Sequence, residues 1–288
     1  MKRSGLSLMV LAIFLLVALI SPVLGADSPG SPEETLNVTE KLSLAENLKN
    51  QAIEFIVAGN YTQALILEEQ ALAIDPTYAN AWNDEVGIYL NLKQYDKALL
   101  AAENATKYDS TMEMAWYNKA LAYKYLGNFT GTLNASNSAV AIDANYTKAL
   151  NLQGWALNGL GRYSEAVSPL NNATALHGDF TDAWINTAVA YNGLAQYDNA
   201  LTAAGKAVSL EPQNADAWYV NGTVLKNLGR TTEANEAFAQ AKSLNPDVAP
   251  RDQATRKSPV SLIVGISAVG LVGAVFALGA DGRKKKDN

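Results

Sequence analysis

The 288-residue sequence contains no cysteine and a single histidine, His177. The absence of cysteine excludes disulfides, thiolate metal sites, cysteine nucleophiles and a lipid anchor on an N-terminal cysteine. One imidazole cannot form a histidine-rich metal site or a histidine relay, and we expect His177 to lie in an exposed turn. The net charge is −6, and an acidic chain is repelled by a phosphate backbone, so we expect no nucleic-acid partner.

Catalytic patterns are also missing. The acidic residues are spread along the chain rather than gathered into a pair that could act as general acid and base. No glycine-rich loop follows a strand pattern, as the usual phosphate-binding sites require. The sequence therefore predicts a protein that is not an enzyme and that uses neither a cofactor nor a metal.

The N-terminus has the pattern of a secretory signal peptide. Lys2 and Arg3 precede an apolar run from Leu6 to Ile20, and small residues follow at Gly25 and Ala26. As a helix this run would measure roughly 22 Å, which is short of the ~30 Å hydrocarbon core of a bilayer. We therefore expect residues 1–26 to be cleaved, with an uncleaved anchor as the alternative.

The C-terminus differs, because residues 260–280 are uncharged and long enough to span a bilayer at about 31 Å. A short linker, 249–259, precedes this predicted transmembrane helix, and a basic tail, 281–288, follows it. Basic clusters beside a span stay in the cytoplasm. Whether or not the signal is cleaved, the middle of the chain is predicted to be extracytoplasmic on a single-pass membrane protein.

Glycosylation sequons support an extracytoplasmic location for the middle of the chain. Asn-x-Ser/Thr occurs eight times, against roughly three expected from composition, which suggests an N-glycosylated surface. The alternative is that an asparagine-rich sequence forms sequons by drift. Asn221 is the least favoured glycosylation site because it lies at position 7, which faces a helix. Asn60 and Asn128 are the most favoured sites because they lie in turns between helices. The seven candidates are Asn37, Asn60, Asn104, Asn128, Asn134, Asn145 and Asn172.

The middle of the chain is an internal repeat. Trp82, Trp116, Trp184 and Trp218 are separated by 34, 68 and 34 residues, and Leu48 and Leu150 fall on the same spacing. Placing these residues at position 4 defines six units after a polar lead-in, 27–44. Position 27 is alanine in every unit, positions 8 and 20 are mostly small, and position 17 is mostly aromatic. The units are 45–78, 79–112, 113–146, 147–180, 181–214 and 215–248.

This period and pattern resemble the tetratricopeptide repeat (TPR), over 204 of the 288 residues. The resemblance implies an all-α, right-handed superhelical solenoid of six helix-turn-helix units. Glycine at position 15, as in Gly59, can take the left-handed conformation that ends a first helix. Pro169 predicts a kink in the second helix of unit four, which we expect to be the softest joint.

In this family positions 2, 5, 9, 12 and 13 of the first helices line a concave groove. Trp155 stands out there as an aromatic anchor for a peptide or protein, although it could instead pack sideways against a neighbouring helix. The family's clamp for a terminal carboxylate does not carry over to position 9. The predicted groove residues are Asn80, Asn83, Tyr117, Lys124, Tyr125, Lys148, Asn151, Trp155, Asn158, Asn192, Tyr219 and Lys226.

The resulting hypothesis is a membrane-anchored, extracytoplasmic scaffold that docks protein or peptide partners. A structural envelope component, possible as a homo-oligomer, is one alternative. Capture of peptides or glycans for a separate transporter or enzyme is another.

Overall fold

A computed structural model describes residues 37–248, which form twelve α-helices and, within that range, no strand. Each predicted unit contains two helices, and only α1 begins before its unit. The helices are α1 (Val38–Val57), α2 (Tyr61–Ile74), α3 (Ala79–Asn91), α4 (Tyr95–Tyr108), α5 (Glu113–Tyr125), α6 (Phe129–Ile142), α7 (Thr147–Gly159), α8 (Tyr163–Leu176), α9 (Thr181–Gly193), α10 (Tyr197–Leu210), α11 (Ala215–Asn227) and α12 (Thr231–Leu244).

The membrane-related predictions lie outside the described residues: the signal peptide (1–26), the linker (249–259), the span (260–280) and the tail (281–288). Between residues 37 and 248, no helix combines the length and the apolar character that crossing a membrane requires.

The first helix of every unit ends in the same turn. The backbone N–H at position 16 donates to the carbonyl five residues earlier, as from Asn128 to Tyr123 at 2.9 Å. This bond requires a left-handed residue at position 15, where glycine carries no steric penalty. The prediction for the glycines is confirmed, and two other residues adopt the same geometry. The positive φ angles, from 57° to 77°, belong to Gly59, Lys93, Gly127, Gly161, Ala195 and Gly229.

The second helices all begin at position 17 and are 14 residues long. The side-chain oxygens of Asn60 and Asn128 cap α2 and α6 by accepting backbone N–H bonds. Helix α8 runs without a break through the buried Pro169. The expected kink therefore does not interrupt this helix.

The four repeated tryptophans occupy equivalent surroundings, as a true repeat requires. Each ring is partly buried, and its indole N–H donates to the backbone carbonyl six residues earlier. The bond ties the start of a first helix to the end of the preceding unit. The pairs are Trp82–Pro76, Trp116–Ser110 and Trp184–Gly178 at 2.9 Å and Trp218–Pro212 at 2.8 Å.

Small residues bring the helices of a unit close together, and side-chain size is matched between positions 8 and 24. A Cβ atom built on Gly154 would lie 2.5 Å from Cδ2 of Leu170 and closer still to its Cγ. A Cβ on Gly222 would lie 2.8 Å from the ring of Phe238. In these two units glycine at position 8 thus accommodates a bulky residue at position 24.

Candidate partner-binding surface

The first helices of units two to six form one continuous surface. Successive helices pack along the chain, and α3, α5, α7, α9 and α11 also pack directly against one another. In a stack of helix pairs, the helices that meet their counterparts lie on the inner, shorter side. We call this surface the first-helix face.

The structure does not leave all the predicted groove residues open. Asn80 and Lys226 are exposed, and five residues are partly buried: Lys124, Tyr125, Lys148, Trp155 and Asn192. The remaining residues are buried: Asn83, Tyr117, Asn151, Asn158 and Tyr219.

Asparagines of the first helices bond to each other across units. The amide nitrogen of Asn118 donates to Oδ1 of Asn83, and that of Asn186 donates to Oδ1 of Asn151, both at 2.8 Å. Asn158 donates its Nδ2 hydrogen to the backbone oxygen of Asn186 at 2.9 Å. Buried amides need such partners. The structure thus places Asn83, Asn151 and Asn158 in the joints between helices rather than on an open groove.

Asn192 joins the same arrangement at the C-terminal end, because its Oδ1 accepts a 2.8 Å bond from Nδ2 of Asn227. The two buried tyrosines pack internally. Tyr117 lies against Tyr146 with ring centroids 5.2 Å apart, and Tyr219 lies 5.3 Å from Phe238. Burial raises the pKa of the Tyr117 hydroxyl above its ordinary range.

The partly buried residues of units two to four form two groups of side chains in contact, which adjoin where Lys124 and Tyr125 are consecutive in the sequence. Tyr125 stacks on Tyr95 with centroids 5.0 Å apart, and Trp155 lies 4.9 Å from Phe129. The ammonium group of Lys124 lies 5.3 Å from the centroid of the Trp155 ring. We call these five residues the aromatic patch. Trp155 thus packs sideways, as the alternative for it predicted, and still retains exposed surface.

The polar groups of the patch include the hydroxyls of its two tyrosines and the ammonium of Lys124. Burial, with contributions from Tyr95 and Asp182, raises the pKa of Tyr125 to about 12, so its hydroxyl stays neutral at physiological pH. In the next first helix, burial lowers the pKa of Lys148. The patch therefore offers flat ring surface with cationic groups, which suits an extended segment carrying apolar and acidic side chains.

Tyr95 and Phe129 were not predicted as part of the surface. They occupy position 17, the mostly aromatic position at which each second helix begins. Position 17 of one unit packs near position 13 of the next: a Cβ on Gly193 would lie 2.5 Å from the ring of Tyr163. Where position 13 holds a large residue, as at Tyr125, its ring stacks on the position 17 ring of the preceding unit, and both rings stay partly exposed.

A second feature was missed entirely: acidic residues do gather, at the joint between units one and two. Glu68 of α2 is completely buried, and neither carboxyl oxygen has a hydrogen-bond partner. Asp84 of α3 is 3% exposed, with Oδ2 at 3.6 Å from Nζ of Lys49 in α1. Glu85, beside it in sequence, is 4% exposed. We call Lys49, Glu68, Asp84 and Glu85 the buried acid cluster.

Burial raises the pKa of every carboxyl group in this cluster. For Glu68 desolvation is the largest cause, and the charge of Asp84 adds to it. For Asp84 desolvation outweighs the opposing effect of Lys49. Desolvation and Glu69 raise the pKa of Glu85 to about 7. The sequence signal was a charged residue at position 24, where the other five units have an apolar or small residue.

No set of three or more histidine, cysteine, aspartate or glutamate side chains between residues 37 and 248 has the arrangement that could hold a metal ion.

Comparisons with known proteins agree with this architecture. A family model described as the tetratricopeptide repeat matches residues 186–249. The crystal structure of PilW, described as a widely conserved type IV pilus biogenesis factor, is 21% identical, with a TM-score of 0.62, over 79% of this chain and 99% of that one. No curated protein matches the chain.

Two further solved structures are similar. A tetratricopeptide repeat protein from Parabacteroides merdae is 16% identical over 70% of this chain and 80% of its own, with a TM-score of 0.60. YrrB, described as a TPR protein with an unusual peptide-binding site, is 19% identical over 63% of this chain and 93% of its own, at 0.51. These findings support the tetratricopeptide repeat family and an all-helical solenoid, a fold typical of scaffolds that bind proteins or peptides.

Proposed function

We propose that this protein is a membrane-anchored, extracytoplasmic scaffold that docks a protein or peptide partner on its first-helix face and performs no chemistry itself. The observation that carries the proposal is the aromatic patch, which keeps exposed ring surface in the middle of that face. Buried aromatic anchors supply most of the affinity in many protein interfaces. The repeat fold supports the same function, because stacked repeats present extended binding surfaces.

The chemistry of the patch favours an extended segment with an apolar anchor followed by an acidic residue. The apolar side chain would lie on Trp155 and Phe129, and the acidic group would approach Lys124 or Lys148. The amides of Asn83, Asn151 and Asn158 would contribute indirectly, because they hold the first helices in register.

Site-specific photo-crosslinking in intact cells tests the docking proposal. A photoreactive amino acid replaces Trp155 in one variant, and it replaces Leu100 in a matched control. Leu100 is 61% exposed on the second helix α4, away from the first-helix face. We expect a discrete crosslinked partner only from position 155. Equal crosslinking from both positions, or crosslinks from position 155 only to the chain itself, would contradict docking and favour an envelope role.

The extracytoplasmic location rests on the predicted span and on the sequons. Among the described sequons, Asn60 and Asn128 are exposed at helix starts, where Oδ1 accepts from Gln63 and Gly131. An N-linked glycan attaches through Nδ2 and leaves Oδ1 free to keep this cap. By contrast, the sequon hydroxyl of Ser136 is buried and donates to Leu133.

Protease shaving of intact cells, followed by glycan-specific mass spectrometry, tests this location. We expect the repeat domain to be digested and Asn60 and Asn128 to carry glycans. Thr62→Ala and Thr130→Ala should each remove one glycan, whereas Thr→Ser at the same sites should retain it. A repeat domain that is protected from protease and has unmodified asparagines would refute the extracytoplasmic location.

A further inference from the structure

The buried acid cluster serves no part of the proposed docking function, yet it is costly to fold. A carboxylate fully removed from water without a hydrogen-bond partner is strongly disfavoured, so Glu68 must fold as the neutral acid. Proteins usually place an apolar residue at such a position. The other units do so or use a small residue at position 24: Ala102, Ser136, Leu170, Ala204 and Phe238.

The cluster lies at the joint where neighbouring units of the described solenoid pack least extensively. Its members come from three helices, with Lys49 on α1, Glu68 on α2, and Asp84 and Glu85 on α3. Every later first helix packs against the first helix before it, but α1 and α3 pack less extensively than those pairs. The stability of the contact between units one and two therefore depends more strongly on the packing and charge of the groups around Glu68.

Acidic groups outnumber basic ones on every element that meets at this joint. Lys49 is the cation among the groups that act on the cluster, and a single ammonium group can compensate only one carboxylate. The acids and phenols that face the same region from α1, α2, the intervening turn and α3 are Glu46, Glu68, Glu69, Asp75, Tyr78, Asp84, Glu85 and Tyr89.

We propose that the joint between units one and two is a proton-sensitive hinge, which is closed while the buried acid cluster holds its protons and opens as the cluster releases them. Opening would separate α1 and α2 from the remaining solenoid, because the cluster is split between unit one and α3. The aromatic patch lies in units two to four, so the hinge would leave its residues together.

The direction of the pH effect follows from the raised pKa values. In the closed joint the carboxyl groups of Glu68, Asp84 and Glu85 bind protons more tightly than in an opened, solvated joint. Closing is therefore fully favoured below the ordinary carboxyl range and weakens as pH rises towards the raised values. For Glu85 this window extends from 4.5 to about 7.

Hydrogen exchange of the full-length, detergent-solubilised protein, followed by mass spectrometry between about pH 5 and pH 8, tests the hinge. After correction for intrinsic exchange, protection of α1 and α2 should fall at least tenfold across this range. This is the change expected when opening releases one proton over roughly one pH unit. Helices α9 and α10 serve as an internal reference and should change less than threefold.

Two variants identify the cluster as the cause. Glu68→Gln retains the size of the side chain and cannot ionise, so the pH dependence in α1 and α2 should shrink severalfold and protection at about pH 8 should rise. Asp84→Asn should act in the same direction if the glutamine variant folds poorly. Glu165→Gln removes an exposed carboxylate that pairs with Arg162 in α8 and should leave the profile unchanged.

Two outcomes would overturn the hinge. One is a wild-type protein in which α1 and α2 lose no more protection than α9 and α10. The other is a pH profile that both Glu68→Gln and Asp84→Asn leave unaltered. Neither result depends on partner docking, so failure of the hinge can be distinguished from failure of the proposed function.

Discussion

The size matching between positions 8 and 24 predicts that one substitution has opposite effects at two sites. Gly154→Ala introduces a methyl group 2.5 Å from Cδ2 of Leu170, a side chain that is completely buried. Gly205→Ala introduces the same group within α10, where nothing lies within 4 Å of the new Cβ. Both changes bring the same gain in helix propensity, about 1 kcal/mol, but only the first overpacks the core.

Overpacking a core by one methyl group costs about 1–3 kcal/mol, and more when the neighbour cannot move. We therefore expect Gly154→Ala to lower the free energy of unfolding by up to about 2 kcal/mol, after the propensity gain is included. Gly205→Ala should raise it by about 0.5–1 kcal/mol. Urea unfolding followed by far-ultraviolet circular dichroism measures both values under the same conditions.

A double variant isolates the pairing itself. Leu170→Ala alone should cost about 2–5 kcal/mol, because it leaves a cavity. Combined with Gly154→Ala it should cost clearly less than the sum of the two, since alanine at both positions already occurs in unit five at Ala188 and Ala204. Additive effects, or a Gly154→Ala variant as stable as Gly205→Ala, would refute the size-matching argument.

Four other substitutions probe the turns and joints by the same unfolding assay. Lys93→Gly and Ala195→Gly should each raise stability by about 0.5–1 kcal/mol, because both residues have positive φ; a loss would show that their side chains stabilise the turn. Trp184→Phe removes the indole bond to Gly178 and should cost about 1 kcal/mol, whereas an unchanged stability would mean that the bond is replaced by water. Asn186→Ala leaves a buried amide oxygen in α7 without its donor and should cost about 1–3 kcal/mol; an effect below 0.5 kcal/mol would argue against the asparagine joints.

Much of the fold could be predicted because each unit repeats the same short-range contacts and turns. The indole bond of Trp82 reaches only six residues back, and the left-handed turn at Gly127 involves six consecutive residues. Such short-range features are encoded within a single period and recur whenever the period does. Lys93 shows the limit of this prediction. The hydrogen bonds around the turn impose the left-handed conformation even where glycine is missing.

The aromatic patch could be predicted only in part, because its composition depends on pairs of residues from different units. Trp155 was recognisable from the sequence as a large ring at position 9, one of the predicted groove positions. Its partner Phe129 was not, because position 17 is a regular aromatic position of the repeat and Phe129 packs there over Gly159, at position 13 of the next unit. The contact between Tyr95 and Tyr125 shows the opposite case, and only the coordinates reveal that the two rings stack in parallel, 7° apart.

The buried amides show why polarity alone does not identify a binding groove. Asn151 has an amide side chain of the kind that often binds ligands. Its hydrogen-bond partner Asn186, however, lies 35 residues away, one more than the period of the repeat. A bond at the period plus one joins neighbouring first helices, so an asparagine at position 5 followed by an asparagine at position 6 of the next unit predicts a joint instead of an open site. Asn83 and Asn118 satisfy the same rule. Unit six departs from it: Val220 replaces asparagine at position 6, and the bond to unit five moves to Asn227, again with a separation of 35 residues. The spacing of the asparagines, in addition to their residue type, therefore carries the structural information on this face.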